Sequence, residues 1–224
     1  MSKLSTIEQL TASKLAEISV FRRAGQKISE LTDLVSLVQK EKLNTIVEIG
    51  TDRGGTFWLW CQLAEKDALI VSIDLPGGDY GEGYSAEDAE RFKTWGKPGQ
   101  QLEFLLKDSH AEETKDLLRS ILGSREIDLL FIDGDHRYEG VTQDFNMYAP
   151  LVKEGGFVVF HDIVETLPRL NCHSHRFWNE VKQNYRHLEF IDIDDDLAFR
   201  VDNDLEGPWG GIGVLYYKKN GGAE

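Results

Sequence analysis

Residues 45–56 read Thr-Ile-Val-Glu-Ile-Gly-Thr-Asp-Arg-Gly-Gly-Thr, and the rest of the chain is organised around them. The apolar run Ile46, Val47, Ile49 carries a single acid, Glu48, and has the composition of a strand buried on both faces of a parallel sheet. Gly50, Gly54 and Gly55 follow, residues that let a backbone turn tightly and approach a ligand closely. A helix-compatible segment, Phe57–Ala64, comes next, and its unpaired N–H groups would face the same crevice. The stretch therefore implies a nucleotide-like cofactor at the carboxyl end of a first strand. It lacks the dinucleotide fingerprint Gly-x-Gly-x-x-Gly, because Asp52 stands where the second glycine belongs. A pyrophosphate needs bare N–H groups, whereas an acid within the motif suits a ligand with a cationic part.

The 224 residues suffice for one large α/β domain, with no stretch that reads as a linker between two. Hydrophobic residues at 41% and charged residues at 29% fit a soluble globular chain. No apolar run approaches membrane-spanning length, and the start Met-Ser-Lys-Leu-Ser-Thr has no apolar signal core, so no membrane partner and a cytoplasmic location are expected. Cys61 and Cys172 are too far apart in sequence for a redox motif and read as two reduced thiols. The net charge of −14 repels polyanions, which argues against nucleic acid as a partner.

Residues 4–40 read as two helices parted by Gly25. One carries the stripe Leu15, Ile18, Phe21 and the other Leu31, Leu34, Val35, Val38. Padding of the sheet is the expected role of this extension (residues 1–42), with cofactor cover or a homodimer contact as alternatives. The main domain, residues 43–220, alternates strands and helices. Ala68–Leu75 is a second strand ending in Asp74, which follows Gly50 by 24 residues, the spacing at which a carboxylate meets ribose hydroxyls. Residues 76–84, with four glycines and two tyrosines, form a loop that is either a lid or a surface connection. A helix over Ser85–Trp95 with Ser85 as N-cap precedes a third strand, Leu102–Lys107. Asp108 and Ser109 follow it, suited to an adenine edge or to capping the helix over Glu112–Leu122.

Ile127–Ile132 is a fourth strand, running into Asp133-Gly-Asp-His136, and Gly155–Phe160 a fifth, ending in His161-Asp162. Between them a helix carries Tyr138, Val141, Phe145 and Tyr148 on one face. Strands over His187–Ile193 and Gly211–Tyr217 make an antiparallel hairpin, and the acidic stretch between them reads as a solvated loop. The expected fold is a Rossmann-like, doubly wound, mostly parallel seven-stranded sheet with an antiparallel C-terminal hairpin and N-terminal helices.

Carboxylates at neighbouring strand termini converge on one crevice. Asp133 and Asp162, joined by His161, therefore suit Mg²⁺, or Mn²⁺ where imidazole joins, and His136 can accept a proton from a substrate hydroxyl. Asp135 reads as a helix N-cap, His173 and His175 as part of a solvated loop, and Trp58 and Trp60 as packing residues.

The run Glu48-x-Gly50-x-x-x-Gly54-x-Thr56 resembles motif I of class I S-adenosylmethionine-dependent methyltransferases. The segments Phe131-Ile-Asp-Gly-Asp-His-Arg-Tyr-Glu-Gly-Val, Asp144-Phe, Pro150-Leu-Val, Gly155-Gly-Phe-Val-Val-Phe-His-Asp-Ile and Gly211-Ile-Gly-Val-Leu-Tyr are similar to the branch that includes cephalosporin-hydroxylase-like proteins and sugar O-methyltransferases. The resemblance covers residues 44–218. It implies S-adenosylmethionine as cofactor and a small-molecule hydroxyl as methyl acceptor. Glu48, Gly50, Thr51, Gly54, Gly55 and Thr56 would lie at the methionine part, Asp74 at the ribose, and Asp108 and Ser109 near adenine. In metal-dependent relatives an Asp-x-x-His after strand four supplies a ligand and the base, which Asp133 and His136 match. The acid pair after strand five is replaced here by His161-Asp162. An NAD(P)-linked oxidoreductase is disfavoured by the missing glycine pattern and the lack of Tyr-x-x-x-Lys, and a non-catalytic scaffold by the rim of acids and histidines.

Overall fold

Thr45–Ile49 forms β1, an interior strand of the sheet buried along its whole length. It is flanked in parallel by β2 (Leu69–Asp74) and β4 (Ile127–Ile132). A computed structural model describes residues 10–78, 83–165, 171–192 and 209–219. β3 (Gln101–Leu106) lies outside β2, and β5 (Val152–His161) outside β4. The strand order is β3-β2-β1-β4-β5-β7-β6. β7 (Ile212–Tyr216) pairs antiparallel with β5 on one side and β6 (His187–Phe190) on the other. The expected doubly wound, mostly parallel sheet with its antiparallel hairpin is what the chain forms.

Helices cover both faces. α1 (Ala12–Phe21), α2 (Ile28–Val38), α3 (Gly55–Leu63) and α4 (Ala86–Lys93) lie on one. α5 (Glu112–Leu122), α6 (Tyr138–Tyr148) and α7 (Ser174–Val181) lie on the other. Successive side chains of a strand point to opposite faces. Ile46 accordingly joins Leu34, Phe57 and Phe131 in one core, and Val47 joins Leu118, Leu130 and Val141 in the other.

The α2 stripe is fully buried as expected, but Phe21 is 89% exposed, because α1 ends there and the chain turns away through Arg22 and Arg23. Ser85 caps α4 through a capping box with Asp88. α5 is capped by neither Asp108 nor Ser109, since its N-cap is Ala111, and Asp135 is not the cap of α6, where Arg137 holds that position. The Asn-Cys-His-Ser-His stretch is not a solvated loop either. His173 is the N-cap of α7, and Ser174 and His175 are buried inside it. Among the described residues no helix is long and apolar enough to cross a membrane.

The order in which strands are added reverses between β1 and β4: after β1 the strands step outward to β3, then return to β4 on the other side. In open α/β sheets the crevice outside the carboxyl ends at such a switch point is where ligands bind.

Candidate functional site

A cavity of about 580 Å³ opens at that crevice. Its wall includes Gly50, Thr51 and Thr56 after β1, Asp74 at the end of β2, Asp108 and Ser109 after β3, Asp133 and His136 after β4, and His161 and Asp162 at the end of β5. Glu48, Gly54 and Gly55 do not reach it.

The reason for Glu48 is the pleat. As an even-numbered residue of β1 it points, like Ile46, to the α3 face and is completely buried. The Trp60 indole N–H and the Thr51 hydroxyl donate to its two oxygens at 2.7 and 2.6 Å. Thr51 Oγ1 continues the chain to Ser72 and Tyr84. Burial pushes the Glu48 carboxyl up to about 7. Trp60 is thus a packing residue, as expected, that also holds this acid in place.

The glycines prove to be close approaches to protein. A Cβ on Gly50, where φ is +83°, would lie 2.0 Å from the Asp133 carbonyl oxygen, and one on Gly55 would lie 2.1 Å from the Ala24 backbone nitrogen. Gly54 faces the rings of Phe92 and Trp95. The chain between α1 and α2 therefore lies across the start of α3, and Arg23, Ala24, Gly25 and Gln26 form one wall of the cavity. The N-terminal helices pad the sheet as expected, and their connection adds a function that their apolar stripes do not disclose.

Asp74 anchors the first βα turn: one carboxylate oxygen accepts the backbone N–H groups of Thr51 and Asp52 at 2.6 and 2.7 Å. Burial raises its pKa, offset in part by those two donors. Asp52 adopts φ 44°, a left-handed conformation that Asp tolerates better than most residues. Of the glycine-rich loop, residues 79–82 lie outside the described residues, while Gly77, Gly78 and Gly83 line the cavity. Behind Ser109, His110 lies 3.3 Å from the buried Asp144, whose partnership is the first cause raising the imidazole pKa.

At the other end of the cavity four ionisable groups meet. His136 lies between two carboxylates, 3.4 Å from Asp133 and 3.2 Å from Asp162. His161 Nδ1 lies 3.1 Å from Asp133 and 3.6 Å from Asp162. Two carboxylates facing two imidazoles can share a buried space because their charges compensate. Burial alone would lower the His136 pKa, yet Asp133, Cys172 and Asp162 hold it well above the ordinary value. Burial likewise opposes ionisation of Asp133 and is outweighed by the two histidines, so its carboxyl stays at about 2. His161 is raised to about 9 by Asp162 and Asp133 against the same opposing desolvation.

Asp162 takes φ 57°, the left-handed turn that brings its carboxylate back over the rim. Strain of this kind in a non-glycine residue collects at functional sites. Asp135 stands apart, paired with the Arg137 guanidinium at 2.6 Å. Two residues of the cluster are absent from the sequence expectations. The Gln26 amide donates to Asp133 at 2.7 Å from 107 positions away, and Cys172 hydrogen-bonds His136. Gln26 sits in a short polar connection with no local signal. Cys172 lies in the stretch singled out for its histidines, but it is the thiol that reaches the rim.

Residues 47–163, just over half of the chain, match a family model described as a methyltransferase domain. An uncharacterized protein of Acanthamoeba polyphaga mimivirus is 34% identical over 132 residues, which are 59% of this chain and 57% of that protein. An uncharacterized protein of Sinorhizobium fredii is 28% identical over 130 residues, 56% of this chain and 14% of that protein. The matched part is thus little more than half of one relative and a small part of the other.

Among solved structures the chain is similar to the O-methyltransferase TomG of Streptomyces achromogenes, involved in tomaymycin synthesis and in complex with SAM. The TM-score is 0.59 at 16% identity, covering 96% of this chain and 92% of that one. It is similar to an O-methyltransferase of Bacillus cereus in complex with SAH, at TM-score 0.57 and 14% identity, covering 96% and 93%. It is also similar to an rRNA methylase of Streptococcus thermophilus, at 0.54 and 7%, covering 84% and 97%. At these identities the likeness is one of fold.

Proposed function

The chain belongs to the methyltransferase-domain family, and from that premise we propose that it moves a methyl group from S-adenosylmethionine to a hydroxyl of a small molecule. The observation that carries this reading is the meeting of Asp133, His136, His161 and Asp162 at one end of a cavity whose other end holds Asp74 and Ser109. Adjacent strands lie about 4.8 Å apart, so the ends of β2 and β5, three steps distant, are separated by about 14 Å. That suits an extended nucleoside with an amino-acid arm lying across the sheet edge.

The wall has no cationic excess to cradle a pyrophosphate. Asp52, Asp74, Asp108, Asp133, Asp135 and Asp162 face Arg23, Lys107, Arg137 and the imidazoles of His110, His136 and His161, all three raised above their ordinary pKa, a near balance that suits a zwitterionic ligand with a sulfonium. When bound, S-adenosylmethionine supplies an electrophilic methyl carbon open to in-line displacement, which needs alignment and a deprotonated nucleophile. Asp74 binds the ribose hydroxyls, while Asp108 and Ser109 lie at the adenine. Gly50, Thr51 and Thr56 border the methionine part, and Glu48, Gly54 and Gly55 support that turn from beneath. Once it has given up its own proton, a loss that the two carboxylates shift to pH above the ordinary imidazole range, His136 accepts the hydroxyl proton, oriented by Asp133 and Asp162.

The donor set tests whether a divalent ion fits. Asp133, His161 and Asp162 offer ligand atoms within 4.8 Å of one another, and His161 Nδ1 is the ring nitrogen that faces both carboxylates. Two carboxylates and an imidazole suit Mg²⁺ or Mn²⁺. These three residues would hold the ion, and it would lower the pKa of an acceptor hydroxyl.

Calorimetry on the purified chain tests the reading. Micromolar binding of S-adenosylmethionine and its demethylated product, reduced at least tenfold in Asp74→Ala, is the expected result. Binding of NAD in their place, or of none of the three, would overturn it.

A further inference from the structure

The rim carries two overlapping sets of ligand atoms that share Asp162. One is the Asp133, His161, Asp162 set described above; the other is His136, Asp162 and Cys172, again with all ligand atoms within 4.8 Å of one another. The second set has different chemistry, because it replaces an oxygen donor with a sulfur.

Cys172 is free, 7% exposed and in the wall of the cavity, so an ion entering the cavity reaches it. Its place beside His136 is imposed by backbone rather than by a side-chain choice. The His173 N–H donates to the His136 carbonyl at 2.7 Å, and the Ser174 hydroxyl to the same oxygen at 3.4 Å. The start of α7 is thereby fastened to the turn after β4, with the thiol and the imidazole brought together between them. Asp162 is aimed by its own left-handed turn. Three ligand-bearing residues from three different segments are thus positioned by the fold itself.

We propose that His136, Asp162 and Cys172 form a binding site for a thiophilic divalent cation of the Zn²⁺ class. Sulfur, imidazole nitrogen and one carboxylate are the ligands such a cation takes in tetrahedral sites, with water or a substrate atom completing the shell. Mg²⁺ prefers oxygen ligands in a near-octahedral shell and gains little from a thiol. On binding, the Cys172 thiol and the His136 imidazolium each release a proton to solvent, and the thiolate sulfur and the neutral imidazole nitrogen coordinate. The site has a consequence that rests on the reading of His136 as proton acceptor: a cation held by its nitrogen occupies the lone pair that would take the hydroxyl proton. Zn²⁺ therefore inhibits methyl transfer, whereas Mg²⁺ at the neighbouring oxygen-rich set does not. The binding itself does not depend on that reading.

Co²⁺ is the probe, because a cysteine thiolate on Co²⁺ gives a sulfur-to-metal charge-transfer absorption in the near ultraviolet. Titration of the purified, reduced chain is expected to raise this band to one equivalent. Zn²⁺ bleaches it, and a hundredfold excess of Mg²⁺ does not. Cys172→Ser abolishes the band and weakens Co²⁺ binding at least tenfold, while Cys61→Ala keeps both. His136→Ala, which leaves the thiol in place, also weakens binding at least tenfold. Thermal unfolding of each variant confirms that it is folded. Absence of the band from the wild-type protein, its persistence in Cys172→Ser, or its displacement by Mg²⁺ would overturn the site. Calorimetry with S-adenosylmethionine on the same preparations separates the two ideas. Cation binding without cofactor binding upholds the cation site and removes methyl transfer, and cofactor binding without the band removes the cation site alone.

Discussion

Glu48 is an acid buried in a strand with no cation beside it among the described residues, and its energetics follow from desolvation. Its pKa in the fold, about 7, lies above the ordinary 4.5. The fold therefore binds the Glu48 proton more tightly than the open chain does. This contribution to stability is fully present below pH 4.5 and is lost as pH rises through 7. At 1.36 kcal/mol per pKa unit the loss is at most about 3 kcal/mol. Glu48→Gln keeps an acceptor for Trp60 and a partner for Thr51 without the charge. Denaturant unfolding should show it more stable than wild type at pH 8 and nearly equal at pH 4.5; equal stability at both would mean that Glu48 does not titrate in this way.

His136 is argued at the same scale. With any hydroxyl acceptor that turns over, His136→Ala should lower kcat by roughly 10²–10⁴-fold, the usual contribution of general base catalysis. A kcat unchanged between pH 6 and pH 9 would remove His136 from the mechanism.

At the scale of elements, the connection between α1 and α2 joins the N-terminal pair to the rim of acids and histidines. Ala24 rests on Gly55, Gln26 reaches Asp133, and one turn further the buried Lys27–Glu30 pair is 3.7 Å apart with both side chains 1% exposed. Glu30 accepts the backbone N–H of Asp192 at 3.0 Å and of Gly211 at 2.9 Å, while the Lys27 ammonium donates to the Asp192 carbonyl and lies 5.0 Å from the Trp209 ring. One buried ion pair thus fastens β6, β7 and α2 together.

Two variants test this arrangement. Lys27→Met leaves Glu30 buried without its cation and should cost about 3–5 kcal/mol in chemical denaturation. Gly55→Ala forces a Cβ into the Ala24 backbone, which should cost about 1–3 kcal/mol and weaken cofactor binding by displacing the cavity wall. A Gly55→Ala protein with unchanged melting temperature and affinity would show that the connection yields freely.

For the molecule as a whole, the excess of 39 acids over 25 bases bears on the acceptor through long-range repulsion. One structural neighbour is an rRNA methylase, but a net charge of −14 opposes a polyanionic acceptor. Fluorescence anisotropy with a labelled structured RNA should show no binding at about 0.15 M salt, and submicromolar binding there would favour RNA over a small molecule. Cofactor binding should also act on the whole fold. A ligand at about one hundred times its Kd stabilises by about 2.7 kcal/mol, which for a chain of this size raises Tm by roughly 5–10 °C. Scanning calorimetry with and without S-adenosylmethionine measures it.

The sequence by itself determined the order of strands and helices, and the acids and histidines at the strand ends, because these are written in local patterns. A β-rich apolar run, a glycine turn and a helical stripe each need only neighbouring residues, and strand alternation then leads to one rim. Asp74, Asp133, His136, His161 and Asp162 were legible for that reason. Tertiary structure decided what depends on the facing of distant segments. The pleat turned Glu48 away from the cavity and into the core. Gly55, which read as room for a ligand, is room for Ala24, while Gly50 lines the cavity and also clears the Asp133 carbonyl. Gln26 and Cys172 reach the rim because a hydrogen-bonded connection and the start of a helix lie against it. No spacing along the chain encodes that contact, since it exists only once the sheet has brought its strand ends together.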